Sequence, residues 1–181
     1  MRCFVAIDVE EKEILRKICE VQRKLIAADY NHALKPVEEK NMHITLKFLG
    51  EINEKILPSL FEVLKGIKFP RFTVTLKDVD FFPNERFIRV IYIRCLSEEL
   101  NALAETVNEK VCKLGFEKEE FKGHLTLARV RGRLNGTLLK ILKDVRNVYI
   151  GEMEVDKIKL KKSVLTPKGP VYNDLLKVAL E

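Results

Sequence analysis

At 181 residues, with 46% hydrophobic and 33% charged residues, the chain is long enough to bury a core as one domain and has an ordinary globular composition. No apolar run approaches the roughly 20 residues of a membrane span, and acidic residues follow the short apolar N-terminal stretch too soon for a signal peptide, so a cytoplasmic location without membrane association is expected. The formal net charge of +6 is a modest bias towards polyanions, and the four scattered cysteines form no Cys-x-x-Cys pair, so they are read as reduced thiols without structural zinc.

In chain order, residues 2–8 alternate as a first strand. Ile14, Ile18, Val21, Leu25 and Ile26 recur at helical spacing, which predicts an amphipathic helix over 10–29. Lys35-Pro36-Val37 opens an extended loop that leads into a strand over 42–49, closed by Gly50. A helix over 53–66 carries Ile56, Leu60, Val63 and Leu64 inward and ends at Gly66. Residues 71–81 alternate as a half-buried strand, Pro83-Asn84 turns the chain, and 87–95 returns as a strand. The helix over 97–114 has Ser97 as N-cap and Gly115 just past its end. A strand over 123–130 and a short helix over 136–145 follow. Two strands close the chain, 152–163 and 170–180, and the pattern of the last also allows helix from Asn173 to Val178. The layout suggests a duplicated unit, although the halves share little identity.

What they do share is one word. His43-Ile44-Thr45-Leu46 and His124-Leu125-Thr126-Leu127 carry two of the chain's three histidines. Strand side chains alternate, so each word sets an imidazole and a hydroxyl on one face and two aliphatic residues on the other. A single His-x-Thr is weak, since both residues are common in strands. Two copies at matching places in two halves are much less readily coincidence. Facing each other, they offer two acid/base groups and two hydroxyl donors, an inventory suited to a phosphodiester. Lys47, at i+4 from His43, has the parity to reach the mouth of such a cleft or else is a solvated lysine. His32 lies outside any such word and is read as structural or solvent-facing.

These words do not stand alone. Arg2 to Ile7, Lys35-Pro36-Val37 through Asn41-Met42-His43 to Glu51, Phe82-Pro83 with Arg89-Val90, Gly123-His124 to Arg129, and Ser163-Val164-Leu165 with Gly169 to Tyr172 occur in order. Together they resemble the 2H phosphoesterase superfamily, and within it the RNA 2′,3′-cyclic phosphodiesterases, also called 2′-5′ RNA ligases. The resemblance spans nearly the whole chain. It implies an α+β fold of two pseudo-symmetric lobes, each an antiparallel sheet with outer helices, with the active-site cleft between them in one bilobal domain over 1–181. It further implies His43 as general acid, His124 as general base, and Thr45, Thr126 and Arg129 as phosphate-binding residues. In an ideal strand Arg129, at i+5 from His124, lies on the wrong face, so a bulge or the strand end must turn it inward.

The activity implied is metal-independent hydrolysis of RNA 2′,3′-cyclic phosphate ends to 2′-phosphates by a monomer, with reverse 2′-5′ ligation open and tRNA-like fragments among the RNA candidates. No cofactor is expected: acidic residues do not cluster at the words as magnesium ligands would, and no phosphate-binding Gly-Lys-Ser/Thr loop is present. Lys122, Arg129, Arg131 and Arg133 are candidates for a path along an RNA backbone, and Phe81, Phe82 or Tyr30 for stacking on a terminal base. Four alternatives stay open: an RNA- or nucleotide-binding module without turnover, a genuine ligase, a phosphodiesterase acting on small nucleotides, and a metal-dependent hydrolase.

Overall fold

The computed structural model describes residues 1–181 and has an α+β architecture. The elements in order are β1 (Arg2–Asp8), α1 (Lys12–Ala27), β2 (Leu34–Pro36), β3 (His43–Glu51), α2 (Leu57–Lys65), β4 (Phe72–Asn84), β5 (Phe87–Leu96) and α3 (Glu98–Cys112). They continue with β6 (His124–Val130), α4 (Gly136–Asp144), β7 (Tyr149–Val155), β8 (Lys157–Thr166) and β9 (Gly169–Ala179). No helix is long and apolar enough to cross a membrane.

The strands form one antiparallel sheet in the order β7-β4-β5-β6-β3-β1-β8-β9, with β2 paired to β6. Its middle is thin. β3 and β6 share the single register pair Ile44↔Leu125, which divides the sheet into a lobe of β1, β3, β8 and β9 and a lobe of β4, β5, β6 and β7 with β2 at its edge. The helices cross between them. α1 follows β1 but packs on β7 and β6 in the other lobe beside α4, whereas α3 follows β5 but packs on β3 beside α2. Each lobe therefore draws on both halves of the chain, and one apolar cluster runs through both, from Val5 and Ile44 to Leu125 and Ile158.

Local sequence accounts for most of this. The buried stripe of α1 is Ile14, Ile18, Val21 and Leu25. Ser97 caps α3 by accepting from the Leu100 amide at 3.1 Å, and Gly115 beyond it has φ +95°. Asn135 caps α4 in the same way, accepting from the Leu138 amide at 2.8 Å.

Three expectations are corrected. Residues 152–163 are not one strand: the chain divides at Asp156 into β7, paired with β4, and β8, paired with β1. Val155 and Ile158 are both buried, so the alternation slips by one there as the chain passes from one lobe to the other. The expected closing strand does form, from Gly169 to Ala179, without the helix its pattern also allowed. Lys35-Pro36 is a short strand on β6, while Pro83 and Asn84 belong to β4 and the turn is Glu85-Arg86.

Two bulges matter most. β1 pairs Val5 with Lys47 but Ala6 with Thr45, leaving Leu46 extra. β5 pairs Ile91 with Ala128 but Tyr92 with Thr126, leaving Leu127 extra. Each bulge reverses the side-chain phase at the same place in its word. Leu46 and Lys47 are both buried, as are Leu127 and Ala128, and Phe48 and Arg129 return to the face of the histidines.

Candidate active site

The shared pair Ile44↔Leu125 lies under the site. Extending its register by one residue each way sets His43 across from Thr126 and Thr45 across from His124 on the opposite face. The four residues of the two words thus form a two-by-two array, flanked by Phe48 at the His124 end and by Arg129 at the His43 end.

Both imidazoles are oriented alike. His43 Nδ1 lies 2.7 Å from the Asn41 carbonyl, and His124 Nδ1 lies 2.7 Å from the Lys122 carbonyl. A carbonyl only accepts, so Nδ1 carries the proton in each, and Nε2 is the nitrogen that can take or give one. His43 Nε2 is 3.0 Å from Thr45 Oγ1, which donates to the neutral ring and accepts from the charged one.

The loops that deliver these carbonyls are held by the opposite strand of the pair. The segment before His43 is fixed to β6: the Val37 amide donates to the Leu127 carbonyl at 2.9 Å, and the buried Gln22 donates to both the Val37 and Leu127 carbonyls at 2.8 Å. The segment before His124 is fixed from the other side. Lys47 Nζ donates to the Glu117 carbonyl at 2.6 Å and pairs with Glu119 at 3.4 Å, and Asn108 Oδ1 accepts from the Glu119 amide at 3.2 Å. Lys47, 3% exposed, is therefore not solvated: its ammonium is tied to the loop before His124, at the edge of the cavity that Thr45 and His124 also line.

Aromatic rings wall both imidazoles. Phe4 and Tyr172 lie 5.1 and 5.4 Å from His43 by centroid, while Phe82 and Tyr92 lie 5.2 and 5.4 Å from His124. Lys122 Nζ stands 5.0 Å above the Phe82 ring. Burial lowers the pKa of each histidine below the ordinary value. The Asn41 carbonyl and Asp8 act upward on His43, while Lys161 and His124 act downward. The Lys122 carbonyl acts upward on His124, while the charges of Lys122 and Arg129 act downward. A cavity of about 70 Å³ opens where β3 and β6 part, lined by Thr45, Phe48, Phe121, Lys122 and His124.

The structure thus brings together His43, Thr45, His124 and Thr126, with Arg129 exposed on the same face. Phe82 packs on Tyr92 at 4.2 Å as a wall rather than as a free stacking platform. Tyr30 is 68% exposed in the turn after α1, outside the rings around the histidines, and His32 is exposed there with φ +50°. No group of three or more His, Cys, Asp or Glu side chains is arranged to hold a metal ion. Sequence reasoning missed Phe4, Tyr92, Asp8 and the lysines beside it as neighbours of the site. The alternation Lys157-Ile158-Lys159-Leu160-Lys161 was a signal for the last, since it puts three lysines on one strand face.

Comparison with known proteins shows the family. The family described as LigT like Phosphoesterase matches residues 7–92 and 94–172. A protein of Archaeoglobus fulgidus named RNA 2′,3′-cyclic phosphodiesterase is 42% identical over 97% of this chain and 98% of its own. The solved structure of TT0787 of Thermus thermophilus superposes with a TM-score of 0.85 and 30% identity, covering 99% of this chain and 97% of that one. Escherichia coli LigT complexed with 3′-AMP superposes with a TM-score of 0.76 and 25% identity, covering 99% and 96%.

Proposed function

The chain belongs to the LigT-like phosphoesterase family, and from that premise we propose that it hydrolyses RNA 2′,3′-cyclic phosphate ends to 2′-phosphates with His43 and His124 as the proton-transferring pair. The observation that carries this reading is the array itself: two imidazoles, each held by a backbone carbonyl on Nδ1 so that Nε2 is the proton-transferring nitrogen.

In this mechanism a water loses its proton to the neutral His124 Nε2 and forms a bond to phosphorus. The bond from phosphorus to the 3′ oxygen breaks in line, and that oxygen takes the proton from charged His43 Nε2. The product is a 2′-phosphomonoester with a free 3′ hydroxyl. Thr45 and Thr126 hydroxyls donate to the phosphoryl oxygens, and Arg129 offsets their charge. No step calls for a cofactor. Burial lowers both imidazoles; beside His43 the Asp8 carboxylate favours the charged ring against Lys161 and His124, whereas the side-chain charges beside His124, Lys122 and Arg129, both disfavour it.

Incubation with a short RNA ending in a 2′,3′-cyclic phosphate, in EDTA, followed by identification of the product's phosphate position, tests the reading. A 2′-phosphate is expected. A 3′-phosphate would overturn the leaving oxygen, and turnover that is abolished by EDTA and restored by a divalent cation would overturn the metal-free mechanism. Binding of this RNA without turnover would favour a binding module.

A further inference from the structure

His43 and His124 are held alike, so what distinguishes them lies one strand further out. There the pseudo-symmetry breaks in charge. β1 sets Asp8 opposite His43, whereas β5 sets Arg94 opposite His124.

Asp8 is the hub of an ion cluster beneath His43. Its Oδ2 accepts from Lys159 at 2.8 Å and from Lys161 at 2.7 Å, and its Oδ1 accepts from Lys161 at 2.9 Å. Lys159 also reaches Glu10 at 3.0 Å and Asp174 at 3.3 Å, and Lys161 reaches Asp174 at 2.8 Å. Both lysines are 6% exposed. Burial works against the Lys159 ammonium, but its bonds to Asp8 and Glu10 and the charge of Asp174 outweigh this and push its pKa up. Lys157 reaches Glu10 as well, at 3.1 Å, so the three carboxylates are met by three ammoniums, with Asp8 the carboxylate set across from His43. Around His124 no carboxylate takes the place of Asp8, and the charges that act on the ring are positive. Arg94 is bridged to Asp78 at 3.5 Å and Lys122 adds a cation, while Arg129, from the His43 end of the array, also acts on the ring.

Such a cluster is costly to bury, and no step of the reaction touches it. A sheet stabilised by apolar residues at Asp8, Lys159 and Lys161 would fold as well, so their placement under one histidine calls for another account. We propose that Asp8, clamped by Lys159 and Lys161, is a positioning residue that keeps His43 the proton donor of the pair, while the cations around His124 keep it the acceptor. The charge difference between the lobes thereby assigns distinct roles to two imidazoles that the backbone holds identically. The proposal rests on the acid–base reading above. The titratable groups that act on or pack against His43 are Asp8 from β1, Lys161 from β8, Tyr172 from β9 and His124 from β6, with Lys159 and Asp174 reaching it through Asp8 and Lys161. Of these Asp8 acts to favour the charged imidazole, while Lys161 and His124 oppose it.

The test pairs NMR titration of each imidazole with the pH profile of kcat/KM. In Asp8→Asn the His43 titration is expected to move down by about 0.5 pH unit or more, and the alkaline limb to move down with it, since that limb reports loss of the acid's proton. Lys122→Met, at an exposed lysine, moves the His124 titration up, and the acidic limb follows to higher pH. Should Asp8→Asn fail to fold, Lys161→Met gives the opposite sign, raising the His43 titration and the alkaline limb. An unmoved His43 titration in folded Asp8→Asn overturns the role of Asp8. A moved His43 titration followed by the acidic limb reverses the assigned roles and overturns the proposal. Wild-type limbs that follow neither imidazole overturn the acid–base reading itself, whatever Asp8 does to His43.

Discussion

β3 and β6 begin alike and end differently. Both open on His-x-Thr with aliphatic residues beneath, and both bulge at the fourth residue. After the bulge β3 buries Lys47 and shows Phe48, whereas β6 buries Ala128 and shows Arg129. The shared part is a backbone device for placing two imidazoles, and it tolerates little change. The ends differ because the proposed substrate is not symmetric: an anionic phosphate and an apolar base ask for different neighbours.

The largest effect comes from breaking the shared part. His43→Ala and His124→Ala are each expected to lower kcat by about 10²–10⁴-fold, the scale of general acid–base catalysis, with unchanged circular dichroism. Near-wild-type turnover in either variant would end the two-histidine mechanism. In the intact enzyme kcat/KM against pH is expected to be bell-shaped. Burial lowers both imidazoles in the free protein: a lowered base gains its neutral form at more acid pH, and a lowered acid loses its proton there too. Both limbs therefore shift the same way, and the maximum falls on the acid side of about 6.5, the ordinary histidine value. A maximum well above that value would contradict the environment described for both rings.

Smaller effects separate the ends. Arg129→Ala removes a charge-assisted contact worth about 1.5–3 kcal/mol, so kcat/KM for the cyclic-phosphate RNA is expected to fall roughly 10- to 100-fold, with a shallower dependence on salt. Phe48→Ala, the equivalent cut in the other lobe, leaves the salt slope unchanged. Equal salt slopes in the two variants would mean that Arg129 does not face the phosphate charge.

How much of this was legible in the sequence follows from which features are local. The His words, the amphipathic face of α1, the caps of α3 and most strands are written in short-range periodicity, and the order of motifs carried the family. The bulges are not local in that sense. Nothing in Leu46-Lys47 or Leu127-Ala128 announces that two consecutive residues will share a face, because the extra residue is defined by the register of the neighbouring strand. Arg129 is for this reason misplaced by ideal alternation and returned to the histidine face by the structure, while Lys47 moves the other way. The slip at Asp156 is of the same kind, since continuous alternation from Met153 to Leu160 would have made one strand. Tyr172 and Phe4 meet at His43 only because β1 lies between β3 and β8 and β9 lies beyond, a long-range arrangement of three separate segments.

The mildest way to sharpen the comparison acts on the loops. Gln22 holds the segment before His43, while Lys47 and Asn108 hold the segment before His124, and only the second uses a buried charge. Lys47→Met keeps the stem in the core and removes the donor to the Glu117 carbonyl, which is expected to cost about 1–3 kcal/mol of stability, the scale of a buried acceptor left unsatisfied. The segment it loosens supplies the Lys122 carbonyl that fixes His124. The stability loss in chemical denaturation should therefore be accompanied by faster amide exchange over 117–123 and by a broadened His124 resonance, with His43 unaffected. Gln22→Leu predicts the mirror image, exchange and broadening at 37–42 and at His43. If either variant disturbed both histidines equally, the two lobes would not orient their imidazoles independently, and the correspondence between the loops would be one of shape alone.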